Sequence, residues 1–134
     1  MNPHHDTPLP APVHSCLVGL GSNRDGAVHL SAAIAAIGRR CRIVRQGPLL
    51  RTPAEGGPAG AADYFNQALR IETQLTPDEL KALFKAIERD NGRTPADKQA
   101  GSVPLDIDLL AYDGQLLRPA DWEKRYVQEM TRGL

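Results

Sequence analysis

The chain has 134 residues, a length that fits one domain and leaves no room for a second core. Sixteen Lys and Arg balance sixteen Asp and Glu, and aromatic residues make up 4%. A neutral, aromatic-poor chain is a poor nucleic-acid binder, which needs many cations or stacking platforms, and no run approaches the ~18 apolar residues of a membrane span.

Residues 1–14 carry four prolines and three histidines and lack the basic start and apolar run of a secretory signal. They read as a disordered leader, with His4 and His5 solvated, before a single domain over 15–134. Residues 15–20, an apolar run closed by Gly21-Ser22-Asn23, predict a buried strand. Gly19 and Gly21 read as turn residues, because neither GxGxxG nor Gly-Lys-Ser/Thr is present. Ser22, Asn23 or Asp25 is expected to cap a helix with the stripe Leu30, Ala33, Ile34, Ile37 and a stop at Gly38.

Residues 41–50 predict a second strand, with Gly47-Pro48 as a bulge or edge feature. Residues 51–63 are too rich in Gly, Pro and Ala to pack and form a long loop of the kind that carries function. Residues 64–73 predict a third strand, with Phe65, Leu69 and Ile71 on one face and Tyr64, Asn66 and Ala68 on the other. Thr76-Pro77-Asp78-Glu79 is a capping box. It opens a helix striped by Leu80, Leu83, Phe84 and Ile87 and ended by Asn91-Gly92. A second polar loop, 92–104, leads to a fourth strand at 105–112. The segment after Gly114, with Trp122 and Tyr126, is short enough for a small helix or an extra edge strand.

This order is βαββαβ. Two right-handed crossovers give an α+β, ferredoxin-like sandwich, a four-stranded antiparallel sheet with helices on one face. Cys16 and Cys41 lack CxxC spacing and read as buried, reduced thiols of a cytoplasmic protein.

Asp106 and Asp108 stand at i and i+2 of the fourth strand, so their carboxylates share a face opposite Leu105, Ile107 and Leu109. Paired carboxylates repel unless a cation intervenes, and hard oxygen ligands suit Mg²⁺. A plainly solvated strand face would look the same. Tyr64 offers a stacking ring, and Asn66 a paired donor and acceptor for a planar heterocycle. Arg93, Lys98, Arg51 and Lys85 are candidate phosphate cations. His14 and His29 have no acid at catalytic spacing and receive no role.

Five segments in register resemble one family, 6-hydroxymethyl-7,8-dihydropterin pyrophosphokinase of folate biosynthesis. They are VGLGSN (18–23), RTPAEGGP (51–58), DYFNQAL (63–69), TPDELKALFKAIERDNGR (76–93) and LDIDLLAYDG (105–114). The resemblance implies the ferredoxin-like fold and transfer of pyrophosphate from ATP to the pterin hydroxymethyl group, releasing AMP. It implies that Asp106 and Asp108 hold two Mg²⁺ ions on the ATP phosphates. It assigns Thr52, Pro53, Tyr64 and Asn66 to the pterin pocket, and Arg93 to the start of the catalytic loop. Pro95, Ala100 and Val103 stand where that family carries arginine, an aromatic and arginine, and its VPH-type C-terminal extension has no counterpart before Leu134. These departures frame an alternative, a catalytically impaired pterin-binding paralogue with a regulatory or interaction role. An interaction module that forms a homo-oligomer through an open sheet edge is a further reading.

Overall fold

The computed structural model describes residues 12–54 and 58–134. These residues form eleven elements in chain order: β1 (His14–Ser22), α1 (Gly26–Gly38), β2 (Arg42–Gln46), β3 (Leu50–Thr52), β4 (Tyr64–Thr73), α2 (Pro77–Asp90), α3 (Asp97–Ala100), β5 (Asp106–Tyr112), β6 (Gln115–Leu116), α4 (Pro119–Trp122) and α5 (Arg125–Thr131). The leader proposed for 1–14 lies mostly outside the described residues, and its last residue, His14, is already in β1.

Every strand pairing is antiparallel, and the order across the sheet is β2-β4-β1-β5-β6, with β3 also on β4. Among the described residues the sheet therefore has six strands, where four were expected. One reason is that the second strand breaks at Gly47-Pro48 into β2 and β3, which pair with β4 in succession. Proline has no N–H for the ladder, and a Cβ on Gly47 would stand 2.7 Å from the Met130 carbonyl oxygen. The other reason is β6, which folds back on β5 through a tight hairpin.

The helix over 77–90 forms as its capping box dictates. Thr76 Oγ1 accepts from the Glu79 N–H, and Glu79 returns the bond to the Thr76 N–H. The first helix starts differently. Asp25 sits at its N-cap in a left-handed conformation without a side-chain cap. Ser22 donates to the Arg24 carbonyl instead, and Asn23 is taken up by the loops.

The main core lies between α1, α2 and one sheet face. Val18, Leu20, Leu69, Ile71, Leu105, Ile107 and Leu109 meet Leu30, Ala33, Ile37, Leu80, Phe84 and Ile87 there. Each fully buried aliphatic contributes ~1.5–3 kcal/mol of transfer free energy. Helices do not stay on one face, however. Helix α5 lays Val127 and Met130 on Ala68 and Leu110, covering part of the opposite face. A register shift between β1 and β5 at Leu17/Val18 lets Tyr112 join the main core although Asp106, Asp108 and Leu110 face the other side. Beyond it Tyr112 pairs with Cys16 on the main-core side, while Asp108 pairs with Gly19 on the other. A bulge of this kind changes which face a given alternation meets.

Cys16 and Cys41 are buried free thiols, and burial raises Cys16 to about 12, so it stays protonated. Among the described residues, no helix is long and apolar enough to cross a membrane.

Candidate active site

The part of the second face that α5 leaves open is built by four neighbouring strands. Asp106 pairs with Gly21, which pairs with Asn66, which pairs with Leu50. Asp108 pairs with Gly19, and Thr52 with Tyr64. Period-two alternation thus puts Asp106, Asp108, Gly19, Gly21, Tyr64, Asn66 and Thr52 on one face. The expected turn at Gly19 and Gly21 is absent, and both glycines are inside β1. A Cβ on Gly21 would meet Asn66 Oδ1 at 3.2 Å and the Tyr64 ring at 3.5 Å. Gly21 keeps the floor between the carboxylates and the Tyr64-Asn66 pair low enough for a ligand, while Gly19 makes room for Met130 and Leu110, which a Cβ there would meet at 3.1 and 3.2 Å.

Two cavities meet at the carboxylates. One, of about 190 Å³, lies over the glycine floor and is lined by Thr52, Pro53, Tyr64, Asn66 and Tyr126 among others. The other, of about 560 Å³, runs towards α2 and is lined by Lys81, Phe84, Lys85, Glu88 and Arg93 among others. Tyr64, Lys98, Asp106, Asp108 and Arg118 border both. Asn66 Nδ2 donates to Thr52 Oγ1 at 2.7 Å, which fixes the amide and turns its oxygen towards Gly21.

Arg93 sits behind Asp106. Its Nη1 donates to Asp106 Oδ1 (2.8 Å), Glu88 Oε2 (3.1 Å) and the Leu105 carbonyl (3.1 Å). Glu88 is 6% exposed and also accepts from the Ile107 N–H at 2.8 Å. Burial raises the Glu88 carboxyl above its ordinary range, partly offset by the Ile107 N–H and Arg93. Arg118 caps the second carboxylate, donating from Nη1 to Asp108 Oδ1 at 3.0 Å, while its Nε pairs with Asp121. Burial, then the charge of Asp106, pushes Asp108 up to about 7, with Arg118 opposing. Two carboxylates are therefore held together in a partly desolvated site with incomplete neutralisation, which a hard cation would relieve.

The two polar loops meet at Asn23. Its Nδ2 donates to the Ala62 and Gly101 carbonyls (3.2 and 2.8 Å), and its Oδ1 accepts from the Val103 N–H at 2.6 Å. Gly101 packs so closely on Pro58 that a Cβ there would stand 2.7 Å from Pro58 Cγ. Asn23 therefore ties both loops to the end of β1 beside the site, a role that sequence alone had given to a helix cap.

All seven expected site residues, Thr52, Pro53, Tyr64, Asn66, Arg93, Asp106 and Asp108, border these cavities. Lys98 and Lys85 border them as well. Arg51 does not; it is bound to Asp63 and lies over the Phe65 ring. His14 pairs with Asp113 and His29 with Asn91, both away from the site. The residues the sequence did not reveal are Glu88, Arg118, Asp121 and Tyr126. Glu88 looked like an ordinary helix acid, although it falls one position after Ile87 on the buried stripe, which was the available signal.

The family profile of 7,8-dihydro-6-hydroxymethylpterin-pyrophosphokinase matches residues 17–132. The chain belongs to this family.

A 2-amino-4-hydroxy-6-hydroxymethyldihydropteridine pyrophosphokinase of Methylorubrum extorquens is 36% identical over 103 residues, covering 72% of this chain and 62% of the relative. The enzyme of that name from Haemophilus influenzae is 31% identical over 104 residues, covering 75% and 64%. The mitochondrial folate synthesis bifunctional protein of Pisum sativum is 35% identical over 101 residues, covering 72% of this chain and 19% of its own length. The chain thus spans less than two thirds of the length of these pyrophosphokinase relatives.

Proposed function

We propose that the chain transfers pyrophosphate from ATP to 6-hydroxymethyl-7,8-dihydropterin. The pterin hydroxyl oxygen would attack the β-phosphorus and lose its proton, and AMP would leave with the bridging oxygen. The observation that carries this reading is that two cavities of different size share one pair of carboxylates. A group transfer between two bound substrates needs its reacting atoms held between them.

The smaller cavity suits the pterin: Tyr64 offers a ring face, and the Asn66 amide, set by Thr52, offers a donor and acceptor edge. The larger cavity, lined by Lys81, Lys85, Lys98 and Arg93, suits ATP. Asp106 and Asp108 would hold Mg²⁺, two ions in this reading. Among the described residues no group of three or more His, Cys, Asp or Glu is placed to hold a metal alone. That fits an ion that completes its shell with phosphate oxygens and water. Bound there, Mg²⁺ would neutralise the charge that builds on the transferring phosphates. Arg93 is the catalytic cation of the chain itself, held on Asp106 at the lining of the larger cavity. The element order and strand order fit the ferredoxin-like sandwich, with β3, α3, β6, α4 and α5 as additions. Two buried free thiols are in keeping with a cytoplasmic protein.

Chromatography of products formed from Mg-ATP and the pterin tests this reading. AMP and pterin pyrophosphate should appear in equal amounts. ADP would mean single phosphoryl transfer, and pterin binding without nucleotide consumption would favour the non-catalytic paralogue.

A further inference from the structure

Each carboxylate of the site has its own arginine, and the two arginines are held differently. Arg93 is 22% exposed at its side chain and shares one nitrogen among Glu88, Leu105 and Asp106. Arg118 is half exposed and bridges two acids, Asp108 through Nη1 and Asp121 through Nε. Its backbone is left-handed, with φ 54° and ψ 58°, and it precedes Pro119. Arginine gains nothing there, and a residue before proline is steered towards extended conformations. Such backbone persists only where surrounding contacts hold it. Here the contacts are the two acids on one guanidinium and the Asp121 N–H, which donates to the Arg118 carbonyl at 2.9 Å. Asp121 is held from its other side by Lys124 at 3.7 Å.

We propose that Arg118 is a resident counter-ion that fills the cation position at Asp108 in the nucleotide-free protein. A divalent cation displaces it; tethered to Asp121, it then donates to the triphosphate. This rests on the reading of Asp106 and Asp108 as a divalent-cation site. The exchange conserves contacts: Nη1 gives up the Asp108 oxygen to the incoming ion and gains a phosphate oxygen in the shared part of the two cavities, which Arg118 already borders. Arg93 is unsuited to this exchange because its nitrogen also serves Glu88, itself fixed on the Ile107 N–H.

The test uses the full chain and two titrations: Mn²⁺ alone, followed by the paramagnetic signal of the free ion, and Mg²⁺ with α,β-methylene-ATP, followed by calorimetry. Arg118→Met should bind Mn²⁺ about three- to tenfold more tightly, because a competing charge is gone. It should bind the nucleotide complex about tenfold more weakly, because a charged phosphate contact is lost. Arg118→Lys should restore both in part. Asp121→Asn, which releases the tether and keeps the counter-ion, should weaken the nucleotide complex more than it weakens Mn²⁺ binding, which loses only one nearby charge; equal losses in both would overturn the tether, and the variant also serves if Arg118→Met does not fold. Folded Arg118→Met with unchanged or weaker Mn²⁺ binding overturns the proposal and leaves the cation site standing. Absence of Mn²⁺ binding in the wild type and all variants overturns both.

Discussion

The two faces of the central sheet are made by the same strands and do opposite work. On one face Val18, Leu20, Leu69, Ile71, Leu105, Ile107 and Leu109 are sealed under α1 and α2. On the other the alternate residues are Gly19, Gly21, Asn66, Asp106 and Asp108, and α5 covers the part over Ala68, Leu110 and Gly19. The first face contributes the apolar burial that pays for order. The second holds two like charges and a hollow floor, an arrangement that favours ligand binding over stability. Residues one position apart along 105–108 should therefore respond to substitution in unlike ways.

The sharpest split is predicted for the carboxylates. Asp106→Asn with Asp108→Asn should lower AMP release at least about a thousandfold, since charge stabilisation at a transferring phosphoryl group is lost. Folding should not be weakened near neutral pH, because neutral amides remove the repulsion between two partly buried carboxylates, which offsets the lost pairs with Arg93 and Arg118. Kinetics and a urea midpoint on the same preparation check both. The neighbouring Leu105→Ala should do the reverse, losing about 2–5 kcal/mol of stability while kcat of the folded fraction stays within a few-fold. Equal loss of activity in both variants would erase the distinction between the faces.

Gly21→Ala sharpens the comparison at the floor. Its methyl would press on Asn66 Oδ1 and approach the Tyr64 ring. The pterin KM should rise about tenfold, roughly 1.4 kcal/mol, with little change in ATP KM or stability. An equal rise in both KM values would mean that the two cavities act as one.

The same carboxylate pair also predicts a pH dependence. Burial and the charge of Asp106 raise the Asp108 carboxyl to about 7 in the folded protein. A carboxyl raised on folding binds its proton more tightly folded than unfolded. Its contribution to stability is present below the unfolded value of about 4 and is lost as pH rises to about 7. The stability of the wild type relative to Asp108→Asn should therefore fall between about pH 4 and about pH 7 and level off above. Saturating Mg²⁺ should reverse the fall for the wild type. Denaturant midpoints at several pH values measure it, and a flat difference would mean that Asp108 is effectively solvated.

Much of the scaffold was legible because local physics dictated it. The period-two pattern of β4, the Thr76–Glu79 capping box and the stripe of α2 each had one good solution. The shared face of Asp106 and Asp108 followed from strand geometry alone. What escaped depends on contacts distant in sequence. Gly19 and Gly21 look like turn residues until β4 and β5 are known to flank them. Asn23 looks like a cap until two loops close on it. The apolar residues of α5 are few, and nothing local says that they belong to the far side of the sheet. Arg118 and Asp121 reach the site only because the β5–β6 hairpin turns the chain back over Asp108.

The central claim is that the carboxylate pair separates two binding cavities, one for each substrate. Titrating 6-hydroxymethyl-7,8-dihydropterin into the protein with and without saturating Mg²⁺ and α,β-methylene-ATP tests it most directly. Simultaneous binding, with pterin affinity held or raised by the nucleotide, is the result this arrangement predicts. Displacement of one ligand by the other would contradict it.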